Sequence, residues 1–279
     1  MNLFHSELSS LFKSKKIVKV ISGLNNNNIQ QIIKIVKCAE LSGASYIDII
    51  ANPKIVSIIK SITSLPICVS SIDPLQLYNC VLAGADLVEI GNFDIFYQKS
   101  MNFSSIKVLK LAIYTRRLLQ NKDICVTIPH NLSLFDQIKL AKNLEKLDIN
   151  ILQTEGFLSK NNIIDEVNAL SYSSDPIFCS TIKASKALAS TYLISRYINL
   201  PVIAASGIDY VSSSVAAVFG ASGVGISSVI KHKKTVYDMT YYLNQVLYSI
   251  QLQNCSSSRY IVSLLQKEIS YFKLINQYF

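Results

Sequence analysis

Five side chains in this sequence have the type and placement to move protons: Lys19, Asp48, Glu89, His130 and Glu155. Lys19, Asp48 and Glu89 each fall inside a short β-branched run, on the parity opposite to Val18 and Val20, Ile47 and Ile49, or Val88 and Ile90. Strand side chains alternate between two faces, so the apolar parity of each run faces a helix layer and the other parity faces elsewhere. Six successive runs place a polar residue on that second parity: Lys19, Asp48, Ser70, Glu89, Thr127 and Gln153, with Glu155 two residues beyond the last. A parallel strand covered on both faces is ordinarily apolar on both. Burying an unpaired charge costs several kcal/mol, so these charges must pair with one another or with something bound. The first case is a structural Lys19–Asp48–Glu89 network. The second is a set of acid and base groups at a catalytic face.

His130 follows the fifth run in Pro129-His130-Asn131, and an unperturbed imidazole titrates near pH 6.5, which suits proton transfer. A histidine just after a strand can equally cap the next helix. Near the end of the pattern, Ala205-Ser206-Gly207 and Gly223-Val224-Gly225-Ile226-Ser227-Ser228 supply small residues at which backbone N–H groups can approach an anion. Ser206, Gly207, Gly223, Gly225 and Ser227 are therefore the candidate phosphate ligands. A short helix over 227–230 would add a favourable dipole, and Lys231 a charge. The competing role for these glycines is tight packing.

These residues need elements to hold them. Eight strands are predicted: Ile17–Ile21, Tyr46–Ile50, Ile67–Ser70, Leu87–Ile90, Ile124–Ile128, Ile151–Thr154, Val202–Ala204 and Gly223–Ile226. Segments of helical period separate them, such as 29–41 and 105–119. Pro53 and Pro74 mark helix first turns, and Asp73 caps the second of these. Ser-Gly-Ala-Ser at 42–45, Ala-Gly-Ala-Asp at 83–86 and Phe-Gly-Ala-Ser at 219–222 repeat one device, a glycine ending a helix and turning the chain into a strand. Eight β–α units in roughly 230 residues predict an α/β fold, a single closed (β/α)8 TIM barrel over residues 1–234. Residues 235–279 are expected to add an eighth helix and an appended C-terminal helix packed on the barrel. In such barrels the strand exits and the loops after strands seven and eight carry the chemistry and the phosphate site.

Composition agrees with a large core, since half of the 279 residues are hydrophobic and 16% are charged. The balance of 27 basic and 18 acidic residues, +9, admits nucleic acid, an anionic membrane or a phosphorylated ligand. No nucleic-acid-binding motif or basic run interleaved with aromatics is present, so nucleic acid is not expected. The uncharged window 211–230 before Lys231-His232-Lys233-Lys234 is too rich in serine and glycine for a bilayer span, and no membrane segment or N-terminal targeting peptide is expected. The six cysteines show no C-x-x-C spacing, which predicts reduced core thiols and no metal site. No cofactor is legible.

Several strings carry a resemblance: Val20–Asn25, Ala51–Pro53, Leu65–Pro74, Val88–Asp94 (Val-Glu-Ile-Gly-Asn-Phe-Asp), Val126–His130, Gln153–Gly156 and Ala205–Gly207. Across residues 1–230 they resemble the hypothetical chloroplast reading frame twenty-three family of algal plastids and cyanobacteria. The resemblance implies a plastid, stromal, barrel-like protein, and it brings no catalytic residues to carry over. In layout the chain is also similar to phosphate-binding barrels such as thiazole synthase and phosphoribosylanthranilate isomerase. Barrel aldolases that form a Schiff base often carry the lysine on a late strand, where this chain has Gln153, and that argues against imine chemistry. The resulting expectation is an enzyme of lyase, isomerase or synthase type acting on a small phosphorylated molecule. The alternative is a non-catalytic ligand-binding or regulatory barrel. The tyrosine-rich tail from Tyr237 onward offers a surface for self-association.

Overall fold

The computed structural model describes residues 3–91, 93, 103–156 and 176–251. Eight parallel strands, β1 (Ile17–Ile21), β2 (Tyr46–Ile50), β3 (Ile67–Ser71), β4 (Leu87–Ile90), β5 (Asp123–Ile128), β6 (Ile151–Thr154), β7 (Val202–Ala205) and β8 (Gly223–Ile226), pair in chain order and close when β1 pairs with β8. Between and after them run α2 (Ile29–Ser42), α3 (Pro53–Lys60), α4 (Pro74–Leu82), α5 (Ser105–Leu118), α6 (Leu134–Glu145), α7 (Pro176–Tyr197), α8 (Tyr210–Val218), the single turn α9 (Ser228–Lys231) and α10 (Val236–Gln251). The chain is thus a (β/α)8 barrel, as its repeats predict. The appended helix expected beyond residue 251 lies outside the described residues.

Local chemistry sets the boundaries. Asn52 accepts the Lys54 N–H at 3.0 Å ahead of Pro53, and Asp73 accepts the Leu75 N–H at 2.9 Å ahead of Pro74. Each pair joins a capping side chain to a ring whose fixed φ suits a first turn. Gly43 ends α2 at φ 73°, left-handed backbone that glycine takes without Cβ strain, and its N–H returns to the Glu40 carbonyl. The window 211–230 divides among α8, β8 and α9. Among the described residues no helix is long and apolar enough to cross a membrane.

Sequence reading missed one element. Helix α1 (Ser6–Lys13) closes the N-terminal end of the barrel by inserting Leu8 and Phe12 against Ile17, Tyr46, Cys68, Leu87, Cys125, Ile151 and Ile203, all fully buried. The Asp123 carboxylate anchors its start by accepting the N–H groups of Phe4 and His5, each at 2.9 Å. Leu8, Leu11 and Phe12 have the i, i+3, i+4 spacing of a helix, but the run is only eight residues long and the barrel end that it covers exists only in the closed fold.

The lumen is therefore layered. An apolar layer at the bottom rests on α1, while the outward parity (Val18, Val20, Ile47, Ile49, Val69, Val88, Ile90, Val126) belongs to the cluster shared with the helices. The polar residues of the inward parity fill the layer above.

Candidate functional site

Lys19, Asp48 and Glu89 meet in the middle of the lumen, and all are buried. The Lys19 ammonium lies 3.0 Å from Asp48 Oδ2, donates to Gln153 Oε1 at 2.9 Å, and forms an ion pair with Glu89. Glu89 Oε1 also accepts from Thr127 Oγ1 at 2.7 Å and from Gln153 Nε2 at 2.8 Å, while Ser70 Oγ donates to Asp48 Oδ1 at 2.6 Å. All six polar inward residues thus form one network, which satisfies the requirement that buried polar groups be paired. Burial works against the Lys19 charge, but Asp48 and Glu89 outweigh it and hold the ammonium well above the usual lysine range. Burial pushes the Glu89 carboxyl up, against the opposing pull of Lys19. Gly91 roofs this layer, because a Cβ there would stand 2.1 Å from Thr127 Oγ1.

Above the network, at the C-terminal mouth, lies a cleft of about 270 Å³. It is lined from the β1 exit by Ile21 and Gly23–Asn25, from β6 by Gln153 and Glu155, from the β7 exit by Ala205–Ile208, and from β8 by Gly225, Ser227, Ser228 and Lys231. Glu155, Ser206, Gly207, Gly225 and Ser227 are the predicted site residues brought together here.

Each is fixed by a definable contact. Ser206 sits at φ 72°, unusual for a residue with a Cβ, and donates its hydroxyl to the Gly156 carbonyl at 2.5 Å, tying the β7 exit to the β6 exit. Gly207 allows α7 to approach, since a Cβ there would lie 2.1 Å from the Lys183 carbonyl oxygen. Ser227 Oγ donates to the Ile21 carbonyl at 3.1 Å, joining β8 to β1, and α9 begins one residue later than the sequence suggests. A Cβ on Gly225 would come within 2.9 Å of Ala205 Cβ and of Ile21 Cδ1. Gly223 lies deeper, outside the cleft lining, where Ile17 Cβ would be 2.3 Å from its Cβ.

His130 stands beside the cleft without lining it. Its backbone N–H reaches Glu155 Oε1 at 3.2 Å and its Nδ1 lies 3.3 Å from the same oxygen. The cap of α6 is Ser133, which accepts the Asp136 N–H, so His130 is not a capping residue. The five candidate acid and base groups therefore fall into two sets: the sealed Lys19–Asp48–Glu89 network and the His130–Glu155 pair at the mouth. Gln153 belongs to both levels. Lys231 completes the site, its Nζ lying where a Cβ on Gly23 would stand 2.4 Å away. Glycine at position 23 (φ 95°) is what leaves room for that ammonium, a pairing of residues 208 positions apart that only the closed barrel reveals.

Similarity to known proteins follows the same outline. Among solved structures, 3-hexulose-6-phosphate synthase from Salmonella typhimurium matches with a TM-score of 0.60 at 10% identity, covering 85% of this chain and 100% of that one. (S)-3-O-geranylgeranylglyceryl phosphate synthase from Thermoplasma acidophilum, solved with its substrate sn-glycerol-1-phosphate, matches at 0.59 and 13%, covering 90% and 98%. At such identities the likeness concerns the fold. Sequence relatives are much nearer: the ycf23 protein of Antithamnion sp. is 49% identical over 251 residues, 89% of this chain and 90% of the relative. That of Cyanophora paradoxa is 40% identical over 244 residues, 87% and 96%. These relatives are plastid-encoded proteins of algae, which implies a plastid location here. A family model described as "Protein of unknown function (DUF561)" matches residues 4–256, and with these relatives it shows that the chain belongs to that family.

Proposed function

We propose that this protein is a stromal enzyme that binds a small phosphorylated molecule at the C-terminal mouth of its barrel and carries out proton-transfer chemistry of the lyase, isomerase or synthase type. The observation that carries this reading is the convergence of Lys231, Ser206, Gly207, Gly225 and Ser227 on one cleft floored by Glu155 and Gln153. Loops after strands seven and eight are where barrels of this kind hold phosphate, and a lysine there supplies the countercharge. The solved neighbours named above are synthases with phosphate in their titles, which supports the same assignment.

In this reading Glu155 exchanges protons with the ligand, and His130, whose Nδ1 lies 3.3 Å from Glu155 Oε1, acts through that carboxylate. Lys19, Asp48 and Glu89 act from below through Gln153, setting the charge under the reacting atoms. Gly223 serves packing. Self-association, if it uses the tail, would begin from the exposed Tyr237, Tyr241 and Tyr248 of α10.

Two measurements test the proposal. Inorganic phosphate and phosphate esters should raise the melting temperature of the wild-type protein and not that of Lys231→Ala; an equal rise in the variant refutes the cradle. Glu155→Gln and His130→Gln should fold, retain the phosphate response and fail to complement a deletion strain. Full complementation by both would establish a non-catalytic binding barrel instead.

A further inference from the structure

The cleft is bipolar, and that constrains its ligand beyond the phosphate. Lys231 stands on the β8–β1 side over Gly23, whereas Glu155 stands on the β6 side, held from the β5 exit by His130. Between them the apolar lining is aliphatic: Ile21, Leu24, Ala205 and Ile208. No aromatic ring lines the cleft among the described residues, so nothing described there stacks a nucleobase. Its volume of about 270 Å³ also falls just below the range of roughly 300–1,000 Å³ that houses drug-sized ligands.

The floor discriminates by charge. Gln153 faces the cleft, but its Nε2 donates to Glu89 Oε1 at 2.8 Å and to Thr127 Oγ1 at 3.3 Å, so both amide hydrogens are committed downward. Its Oε1 receives Lys19 at 2.9 Å, which fixes the orientation of the amide. The β6 side thus presents the Glu155 carboxylate with no spare Gln153 donor beside it.

Building on the phosphate reading of Lys231, we infer that the cleft selects a short-chain phosphate ester whose far end carries a hydroxyl, and rejects one whose far end is a carboxylate. A hydroxyl donates to Glu155. A carboxylate in the same place meets a like charge in a partly desolvated site, where such juxtapositions are strongly unfavourable.

The test compares four probes on the full chain by isothermal titration calorimetry: inorganic phosphate, glycerol 3-phosphate, 3-phosphoglycerate and AMP. Glycerol 3-phosphate should bind more tightly than inorganic phosphate and AMP, and at least about tenfold more tightly than 3-phosphoglycerate. Glu155→Gln should shrink that last ratio; if the variant does not fold, the wild-type ratio alone decides. Equal or tighter binding of 3-phosphoglycerate or AMP, no gain over inorganic phosphate, or a ratio unchanged in a folded Glu155→Gln overturns the inference while leaving the phosphate site standing. No binding of any probe, inorganic phosphate included, overturns both.

Discussion

Replacing Lys19 with methionine probes the centre of the barrel most directly. Methionine approximates the volume of the lysine stem, so packing changes little and charge changes by one. The ammonium is fully buried and is shared among Asp48, Glu89 and Gln153. Its removal leaves two carboxylates in one lumen with no described cation between them, and breaking a buried pair in this way costs about 3–5 kcal/mol. At roughly 2–4 °C per kcal/mol for chains approaching this size, the melting temperature should fall by about 6–20 °C. Calorimetry and urea unfolding measure it. The loss should also depend on pH. A carboxyl whose folded pKa lies above its unfolded value binds its proton more tightly when folded; its contribution is present below the ordinary carboxylate range and is lost as pH rises through the folded value. Burial already pushes Glu89 in that direction, and without Lys19 the shift grows, so Lys19→Met should regain stability from neutral pH down toward about pH 5. The triple variant Lys19→Met, Asp48→Asn, Glu89→Gln should recover most of the loss at neutral pH. A single variant within 1 kcal/mol of wild type, or a loss independent of pH, refutes the network as described.

Three further outcomes follow from single contacts. Phe12→Ala should cost about 3–5 kcal/mol in urea unfolding, since Phe12 is fully buried under the bottom layer; a loss below 1 kcal/mol would show that α1 does not close the barrel. Tyr46→Phe should be neutral or stabilising by up to about 1 kcal/mol, because the Tyr46 hydroxyl is buried with no hydrogen-bond partner among the described residues, and a marked loss would reveal a hidden partner. Gly23→Ala puts a Cβ on left-handed backbone and against Lys231 Nζ, the mobile end of a long side chain, so it should lower stability and reduce the phosphate-induced thermal shift, by less than Lys231→Ala does; a larger reduction than that of Lys231→Ala would show that Gly23 acts on the site by another route.

Periodicity made the barrel legible. Each β-branched run is short, helices such as α2 and α3 are clearly amphipathic, and glycine and proline punctuate the joins, so most local signals agree with the global fold, although α7 is nearly uniform around its axis. The inward polar residues were legible too, because parity alone places Lys19, Asp48, Ser70, Glu89, Thr127 and Gln153 on one side. What parity does not give is height. Gly223 and Gly225 have the same parity and the same chemistry in sequence, yet one packs on Ile17 in the bottom layer and the other opens the cleft beside Ala205. Height depends on the shear of the closed sheet, which pairs Gly223 with Ile17 and Gly225 with Lys19. The same closure brings Lys231 over Gly23 and His130 onto Glu155.

Layering also bears on where an anion can sit. The middle layer holds one cation and two carboxylates, drawn from β1, β2 and β4, so its net charge is negative unless a carboxyl keeps its proton. A phosphate placed above those strands would meet that charge through a lumen of low dielectric. Strands β7 and β8 contribute no charged side chain to the lumen at all, only Ile203, Ala205, Gly223 and Gly225. The side of the mouth served by β7 and β8 is therefore the least repulsive for an anion, and it is also the side that carries Lys231 and the small residues of the two exit loops. In the proposed reading, electrostatics and shape favour the same position for phosphate, and Glu155 at the β6 exit, with His130 behind it at the β5 exit, is left to face the rest of the ligand. In that proposal the buried lysine, whose charge is already met by Asp48 and Glu89, acts from below, and the Glu155 carboxylate above it meets the ligand.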